Sequence, residues 1–293
     1  LVTSAGSAIA HGIMKSIKKS SLDCDIITTD AQPYASALYR GKAAYLVPFA
    51  KDPDYIEKII EICKKENIHA IMIGMDYELL KLAENKELIE KETNAKVIVS
   101  PPEVINISDD KWLTQKFLQE NDLPNIPSAL PEDADTLIEK ENFPLIIKPR
   151  IGDGSKNTFI VHNREELYEK IKIFADAEGK EDAAPYEINP VIQKYMGQED
   201  EEFTSTTFVF DNKSYGAISM NREMRFPGHT TKAKILDFPL INDHIMKVAE
   251  KLNPLGPCNF QSRVVGGVPY IFEINCRFSG TTATCTLAGF NHV

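Results

Sequence analysis

The hydrophobic pattern of the chain changes after about residue 107, and this change constrains the fold more than any other feature. Residues 1–107 alternate short apolar runs with segments whose apolar residues recur every three or four positions, as in Ile56, Ile59 and Cys63. The short runs predict strands and the periodic segments predict amphipathic helices. Strands that alternate with helices form a parallel sheet that is covered on both faces. The predicted strands cover residues 1–3, 25–29, 44–47, 70–73 and 96–99.

Beyond Pro124 and Pro127 the chain reads as strands joined by hairpin signals, an antiparallel α+β arrangement. Its strands are predicted at residues 145–148, 158–161, 191–196, 203–210, 213–220, 258–265 and 270–276, and its helices at 164–177 and 243–252. A helix over residues 109–121, with Ser108 as its N-cap, is predicted to link the two parts.

The overall composition excludes several classes of protein. At 293 residues the chain exceeds the usual size of one hydrophobic core, so we expect two or three lobes. A net charge of −10 argues against a nucleic-acid partner, and no apolar stretch approaches the roughly 20 residues of a membrane helix. The five cysteines form no CxxC pair, and the N-terminal stretch lacks the pattern of a signal peptide, so we expect a cytoplasmic protein with reduced thiols.

The loop of residues 4–7 follows the first predicted strand and precedes a helix. Such a place can present backbone amides to an anion, but a tight strand-to-helix turn explains it at least as well. No GxGxxG motif is present, so a dinucleotide site is not supported.

The strand predicted over residues 270–277 carries polar side chains at every second position. Its period of two places Glu273, Asn275 and Arg277 on one face and Phe272, Ile274 and Cys276 on the other. Carboxylate and amide oxygens suit Mg²⁺, and an arginine beside them suits phosphate oxygens. A half-exposed strand without a metal is the alternative.

The preceding strand offers Gln261, whose facing depends on the loop between the strands. A two-residue Gly-Gly turn would place Gln261 opposite Phe272, whereas a three-residue loop at 266–268 places it opposite Glu273. The metal hypothesis therefore predicts the three-residue loop.

Lys148 ends an apolar strand and is followed by a glycine-rich segment. Burial of an ammonium group is costly unless an anion meets it. The glycines at 152 and 154 would let backbone amides approach phosphate oxygens. The spacing is not that of a Walker A loop, and a plain turn is the alternative.

Together these motifs resemble the ATP-grasp superfamily, especially single-unit relatives of the carbamoyl phosphate synthase large chain. The resemblance covers almost the whole chain and is most specific in the run from Phe272 to Gly280, together with Gln261. It implies a parallel-sheet pre-ATP-grasp domain over residues 1–107 and an ATP-grasp fold of two antiparallel α+β lobes over 108–293. The mobile lobe would cover about 125–195 and the metal-bearing lobe about 196–293.

The resemblance also implies roles for individual residues. Gln261, Glu273 and Asn275 would bind the metal, and Arg277 would contact phosphate and the reacting acyl group. Arg225 is the second catalytic candidate, from a segment in which Arg222, Gly228 and Thr230 stand where relatives meet the activated carboxylate. Surface charge accounts equally well for either arginine. The nucleotide would be held by Lys111, Lys148, Gly154, Ser155, Gln193, Lys194, Met196 and Glu202.

Two expectations in this set rest on departures from the family pattern. Asn157 stands where the family often has a further glycine, and Gln193 stands where glutamate is common at the adenine. Glu202 is chosen for the ribose over the longer acidic run before it. Asp76 and Glu78 follow the fourth predicted strand, where they could face the acceptor or cap a helix, and we favour capping.

The resemblance implies a carboxylate-amine ligase that uses ATP and Mg²⁺, or Mn²⁺ in its place. A carboxylate would attack the γ-phosphorus, giving an acyl phosphate and ADP, and an amine would then displace phosphate. The expected partners are a small-molecule carboxylate and an amine, with neither nucleic acid nor membrane, and a homodimer is compatible. The alternatives are a carbamoyl phosphate synthase-like subunit that needs a partner, a non-catalytic ATP-binding regulatory module, and a simple binding protein that lacks ATP.

Overall fold

The computed structural model describes residues 1–152, 154, 156–178, 189–197, 202–226 and 229–293, without the side chains of residues 178, 224–226 and 229. Within these ranges the chain forms a parallel sheet followed by two separate antiparallel sheets, which confirms the fold class expected from the sequence. No helix in the described ranges has the length and apolar character needed to cross a membrane.

The N-terminal part is a parallel sheet flanked by helices. Its elements are α1 (Ala8–Lys19), β1 (Ile27–Asp30), β2 (Ala43–Leu46), α2 (Tyr55–Lys65), β3 (Ala70–Met72), α3 (Leu79–Glu84), α4 (Lys86–Glu92) and β4 (Lys96–Ile98). The first predicted strand is reduced to a single bridge residue, Val2, which pairs in parallel with Thr28 and Met72. The order across the sheet is therefore β2, β1, Val2, β3, β4.

The loop of residues 4–7 is a tight turn whose amides already have partners. Gly6 N donates to Asp30 Oδ2 at 2.8 Å, Ala5 N donates to the Thr29 carbonyl at 2.9 Å, and Ser7 N donates to the Ser4 carbonyl at 2.9 Å. The amides that would receive an anion are thus engaged, which favours the plain turn.

Two helices link the parts, where one was predicted. These are α5 (Pro102–Asp109) and α6 (Lys111–Glu120). The prediction that Ser108 caps the helix was wrong. Its Oγ donates to the Val104 carbonyl inside α5, whereas Asp110 caps α6 by accepting from the amides of Trp112 and Leu113. An aspartate is as good a cap as a serine, so residue type alone did not distinguish them.

The middle part is a four-stranded antiparallel sheet in the order β5, β8, β6, β7. Its elements are β5 (Ser128–Ala129), α7 (Ala134–Glu141), β6 (Leu145–Pro149), β7 (Phe159–Val161), α8 (Arg164–Glu178) and β8 (Pro190–Lys194). The inner face of this sheet packs on α7 and α8 in one apolar cluster that includes Leu137, Leu145 and Leu167.

The last part is a five-stranded antiparallel sheet in the order β11, β10, β9, β12, β13. Its elements are β9 (Glu202–Phe210), β10 (Lys213–Phe226), β11 (His229–Ile235), α9 (Pro239–Leu252), β12 (Gly256–Val265), β13 (Val268–Asn275) and α10 (Thr282–Leu287). One face packs on α9, α5 and α6 through residues such as Val248, Leu118 and Phe260. The opposite face carries the polar side chains described next.

Candidate functional site

The hairpin of β12 and β13 places Gln261 opposite Glu273 by a route that differs from the prediction. Val265 pairs with Val268, so the turn has two residues and the predicted three-residue loop was wrong. The register instead shifts by one residue between Gln261 and Ser262, where Phe272 is the extra residue of a β-bulge. The bulge restores the pairing that the longer loop was expected to provide.

The bulge also changes the face on which Phe272 lies. Ile271, Ile274 and Cys276 all belong to the apolar core, a spacing of three and then two that only a bulge permits. Phe272 is half-buried outside that core, with the Lys148 ammonium 5.5 Å from the centre of its ring. The prediction that Phe272 shares the core face with Ile274 was therefore wrong.

Two amide side chains donate to the Glu273 carboxylate. Gln261 Nε2 donates to Glu273 Oε1 at 2.9 Å, and Asn275 Nδ2 donates to the same oxygen at 3.0 Å. The three residues expected to bind a metal are thus neighbours on one face, half-buried rather than exposed.

Arginines flank this cluster on both sides. Arg222 Nη2 donates to Gln261 Oε1 at 2.7 Å, and Arg277 Nη2 donates to Asn275 Oδ1 at 3.0 Å. Each amide side chain therefore turns its nitrogen to the carboxylate and its oxygen to an arginine. The result is an unbroken row of polar contacts in which one carboxylate is held between two cations.

Glu202 anchors one end of the row. It is only 2% exposed, and its carboxylate accepts from Arg222 Nε at 2.8 Å and from Arg263 Nη2 at 3.1 Å. Both oxygens are engaged by arginines, so in this conformation the carboxylate is not free for a ribose hydroxyl. Its ribose role stays a prediction and gains no support from these contacts.

Arg222 belongs to the polar row, although the sequence pattern indicated it only as a neighbour of the candidate Arg225. Its side chain is buried between Glu202 and Gln261, whereas the predicted strand ended at residue 220 and left Arg222 beyond it. Asn221, Arg222 and Glu223 are three consecutive polar residues, so this run lacks the period-two alternation that predicts a strand. The extension of the strand could not be predicted from this pattern. The side chain of Arg225 lies outside the described part of the structure.

Asp76 closes the other end of the row. Its carboxylate accepts from Arg277 Nε at 2.6 Å and Nη2 at 3.0 Å, which joins the parallel-sheet part to the last sheet. Glu78 is buried and accepts from Thr3 Oγ1 and Tyr55 Oη, each at 2.7 Å. Neither carboxylate caps a helix, so the capping interpretation was wrong for both.

Lys148 faces this row from the neighbouring sheet. It is 8% exposed and makes no hydrogen bond to any residue in the described ranges. Burial above all, together with the nearby cations Lys111 and Arg263, lowers the pKa of Lys148 to about 7, while the carboxylates of Glu273 and Glu202 oppose the shift. A buried cation without a bonded anion is a place where a bound anion gains most.

Lys111 and the glycine-rich segment are bonded to each other. The Lys111 ammonium donates to the Gly152 carbonyl at 2.9 Å, and Arg150 forms an ion pair of 2.5 Å with Asp110. Gly154 has a left-handed φ of +65° with no atom within 4 Å of the position of a Cβ, so a side chain there would strain the backbone without a clash. Ser155 lies outside the described residues.

The strand that was predicted to line the adenine is present as β8, and some of its polar groups are already hydrogen-bonded within the protein. Gln193 is buried and donates from Nε2 to Ser128 Oγ at 2.9 Å, and the Lys194 amide donates to the Pro127 carbonyl at 2.9 Å. The Met196 amide, just after β8, has no backbone partner among the described residues. Of the three, Met196 thus offers the freest donor to an adenine edge.

The donor set fits a magnesium ion after a small rearrangement. One carboxylate and two amide oxygens are hard ligands of the kind that Mg²⁺ accepts when phosphates supply the rest. Rotation of the Gln261 and Asn275 amides would turn their oxygens toward the Glu273 side. No group of three or more His, Cys, Asp or Glu side chains suited to a metal occurs in the described ranges, so a dedicated all-protein site is not supported there.

Comparison with known families places two domains on the chain. Residues 108–281 match the ATP-grasp domain, and residues 1–98 match the PylC-like N-terminal domain. The carbamoyl phosphate synthase large chain of Pyrococcus furiosus is 25% identical over 289 residues, which is 92% of this chain and 26% of that protein. The chain thus spans about a quarter of the length of this relative.

Solved structures share the architecture at low sequence identity. A biotin carboxylase in complex with β,γ-ATP from Campylobacter jejuni superposes with a TM-score of 0.73 at 19% identity, covering 99% of this chain and 68% of that one. The N5-carboxyaminoimidazole synthetase of Staphylococcus aureus complexed with ADP gives a TM-score of 0.72 at 14% identity, covering 99% and 74%. At these identities the likeness extends to the fold alone.

Proposed function

Because the chain belongs to the ATP-grasp domain family, we propose that it is an ATP-dependent ligase that joins a carboxylate to an amine. The carboxylate attacks the γ-phosphorus of ATP to give an acyl phosphate and ADP, and the amine then displaces phosphate. The observation that carries the proposal is the row in which Glu273 lies between Gln261 and Asn275 with Arg222 and Arg277 on either side.

The proposed division of the chain follows its sheets. Residues 1–107 form the pre-ATP-grasp domain and residues 108–293 the ATP-grasp domain, with a mobile lobe at about 125–195 and a metal-bearing lobe at about 196–293. The two matched family segments, residues 1–98 and 108–281, support this division.

ATP and Mg²⁺ are the proposed ligands, with Mn²⁺ as a substitute of similar chemistry. Gln261, Glu273 and Asn275 would hold the metal, whose charge would offset that of the transferred phosphate. The structural neighbours that were solved with β,γ-ATP and with ADP support a nucleotide as the ligand. Rotation of the two amides would free the donors of Arg222 and Arg277 for phosphate oxygens.

The protein's own contribution is electrostatic. Lys148, to which no described carboxylate is bonded, would hold phosphate, and Arg277 would hold the phosphate and acyl oxygens as charge spreads over them. Lys111 and Gly154 would position the loop over the phosphates.

Gln193, Lys194 and Met196 would line the adenine. Glu202 would act on the ribose or, as its contacts favour, position Arg222. Arg225 and Ser155 remain proposed from the resemblance alone.

A second candidate function is a subunit of a carbamoyl phosphate synthase-like enzyme. It is favoured by the 25% identity to a carbamoyl phosphate synthase large chain, of which this chain spans 26%, so that activity would require a partner. A non-catalytic ATP-binding regulatory module is the remaining alternative, and the retention of Gln261, Glu273, Asn275 and Arg277 argues against it.

Cellular setting and assembly are also proposals. All five cysteines are free thiols and four of them are buried, which suits the reducing cytoplasm. A homodimer is proposed as the assembly, and light scattering of the purified chain tests it directly.

The test is substrate-dependent release of ADP. The protein is incubated with Mg²⁺·ATP and pools of carboxylates, amino acids and bicarbonate. A ligase releases ADP only when a carboxylate and an amine are both present, whereas bicarbonate alone would favour the carbamoyl phosphate synthase-like alternative. Nucleotide binding without release of ADP under any pool would contradict the catalytic proposal.

A further inference from the structure

A cavity of about 450 Å³ opens on the parallel-sheet part of the molecule, outside the polar row described above. We call it the Tyr77 cavity, and its walls include Phe49, Tyr77 and Leu80, with Lys51, Lys81 and Glu84 among its lining residues. Its volume lies in the range of small-molecule pockets, roughly 300–1,000 Å³.

The walls of the Tyr77 cavity are apolar and open to solvent. Phe49 is 46% exposed, Tyr77 58% and Leu80 38%. Three large apolar side chains that share one concave surface are unfavourable in water unless a ligand covers them. The cavity is therefore suited to a hydrocarbon or aromatic group.

The cavity lies where parallel sheets bind ligands. Phe49 follows β2 and Tyr77 follows β3, so both belong to the edge formed by the carboxyl ends of the strands. The chain moves outward from Val2 to β1 and β2 and then returns to the other side of Val2 with β3, which makes this edge a topological switch point. Ligands of open parallel sheets bind outside such an edge.

Tyr77 connects the cavity to the polar row. Its hydroxyl lies 3.1 Å from Ser4 Oγ, and the residue directly before it, Asp76, holds Arg277. A ligand in the cavity would thus lie on the side of the parallel sheet that contacts the last lobe. The Asp76 carboxylate is 44% exposed there, with both of its oxygens accepting from Arg277.

The charged lining residues make the cavity selective. Lys51, Lys81 and Glu84 form no ion pair or side-chain hydrogen bond with another described residue. The ammonium groups of Lys51 and Lys81 attract one carboxylate of a ligand, while the Glu84 carboxylate repels a second carboxylate on the same ligand. An apolar body with a single carboxylate matches these charges better than a dicarboxylate.

We propose that the Tyr77 cavity binds the amine substrate of the ligase, and that this substrate is an amino acid with an apolar side chain. The side chain lies against Phe49, Tyr77 and Leu80, and the carboxylate lies between Lys51 and Lys81. This assignment rests on the proposed ligase function. In the reaction the amine nitrogen bonds to the acyl carbon, the bond from that carbon to the phosphate oxygen breaks, phosphate leaves with the electron pair, and the nitrogen releases a proton to water.

Binding of amino acids to the whole chain tests the cavity without any nucleotide. L-Phenylalanine and L-leucine should bind at least about tenfold more tightly than glycine and L-glutamate in calorimetric titrations, because only they bury a large apolar side chain. Equal binding of all four, or no binding of the two apolar amino acids, overturns the proposal.

Matched variants localise the binding. Leu80→Asp should weaken L-phenylalanine binding about tenfold or more, whereas Leu88→Asp, at an equally surface-exposed leucine of α4, should leave it unchanged. Lys51→Ala with Lys81→Ala should weaken it too, and Lys116→Ala with Lys140→Ala should not. The lysine pair keeps the test decisive if Leu80→Asp fails to fold. Unchanged binding in the lysine double variant contradicts the proposal.

A second arm separates this proposal from the ligase function. With Mg²⁺·ATP and the carboxylate pools, L-phenylalanine or L-leucine should raise release of ADP, and Leu80→Asp should raise the KM for the amino acid more than it lowers kcat. If the amino acids bind but never raise release of ADP while other amines do, the substrate assignment is overturned and the ligase function stands. If no amine raises it, the ligase function fails, and with it the assignment of the cavity to a substrate.

Discussion

At the scale of single residues, Lys148 is a buried cation to which no described anion is bonded, as the proposed phosphate site would require. Burial removes its ammonium from water, and no described carboxylate is bonded to it, so its pKa is lowered to about 7. In the unfolded chain the same group has the ordinary value of 10.5. Between about pH 7 and 10.5 the unfolded chain binds more protons than the folded one, so the free energy of unfolding rises with pH in this range. Below about pH 7 Lys148 is charged in both states, and burial of its charge then destabilises the folded protein to the full extent.

Lys148→Met should therefore stabilise the ligand-free protein. We expect a gain of about 1–4 kcal/mol in the free energy of unfolding near pH 6.5, which narrows as the pH rises toward 10. Urea unfolding at several pH values measures it, with the exposed Lys140→Met as the control. A gain that does not depend on pH would show that the methionine merely packs better.

Arg222 and Glu202 form a buried pair whose partners depend on each other. Arg222→Met leaves the Glu202 carboxylate, 2% exposed, with Arg263 as its remaining cation. We expect a loss of about 3–5 kcal/mol in unfolding free energy, much of which Arg222→Met combined with Glu202→Gln should recover. Lys232→Met, which breaks the exposed pair with Glu223, should cost less than about 1 kcal/mol. Equal losses of unfolding free energy in Arg222→Met and Lys232→Met would contradict this interpretation of the buried pair.

At the scale of elements, the β-bulge at Phe272 determines which side chains face the site. It turns Glu273 toward Gln261 although the Gly266-Gly267 turn alone would set the other register. The pairing of β12 with β9 holds Gln261 in place from the other side, since Gln261 pairs there with Thr204. The turn itself is exposed and contributes little to the register of the site.

Lengthening the turn should therefore be tolerated. Insertion of one glycine between Gly266 and Gly267 should leave Mg²⁺·ATP affinity unchanged and lower stability by less than about 1 kcal/mol. The matched insertion between Ile274 and Asn275 should abolish binding, because it moves Asn275 and Arg277 out of phase with Glu273. Loss of affinity in the turn insertion would mean that the turn, not the bulge, sets the register.

The sequence predicted elements with strong periodicity and missed those fixed by single residues. The parallel and antiparallel sheets, β6, β12 and β13 follow from hydrophobic alternation, which spans many residues. The bulge at Phe272 and the cap at Asp110 each depend on one residue whose type is equally compatible with the alternative. The contact of Asp76 with Arg277 joins residues 201 positions apart, and no local pattern encodes it.

At the scale of the whole molecule, three sheets bring their polar groups to one region. The parallel sheet supplies Asp76, the middle sheet supplies Lys148, and the last sheet supplies the row from Glu202 to Arg277. A charged row of this kind would be costly if it were only structural, because buried ion pairs rarely stabilise a protein more than apolar packing does. Binding of a polyphosphate with its metal, as proposed above, would give the arrangement a function.

Calorimetric titration of Mg²⁺·ATP into the wild-type chain and into Glu273→Ala tests this account most directly. The wild type should bind the nucleotide, and removal of Mg²⁺ should weaken this binding. Glu273→Ala should lose both the affinity and its dependence on Mg²⁺. The Glu273→Ala variant should unfold close to the transition of the exposed control Glu223→Ala, because the half-buried Glu273 carboxylate contributes little to the core. Wild-type affinity in a folded Glu273→Ala would contradict the assignment of the metal site.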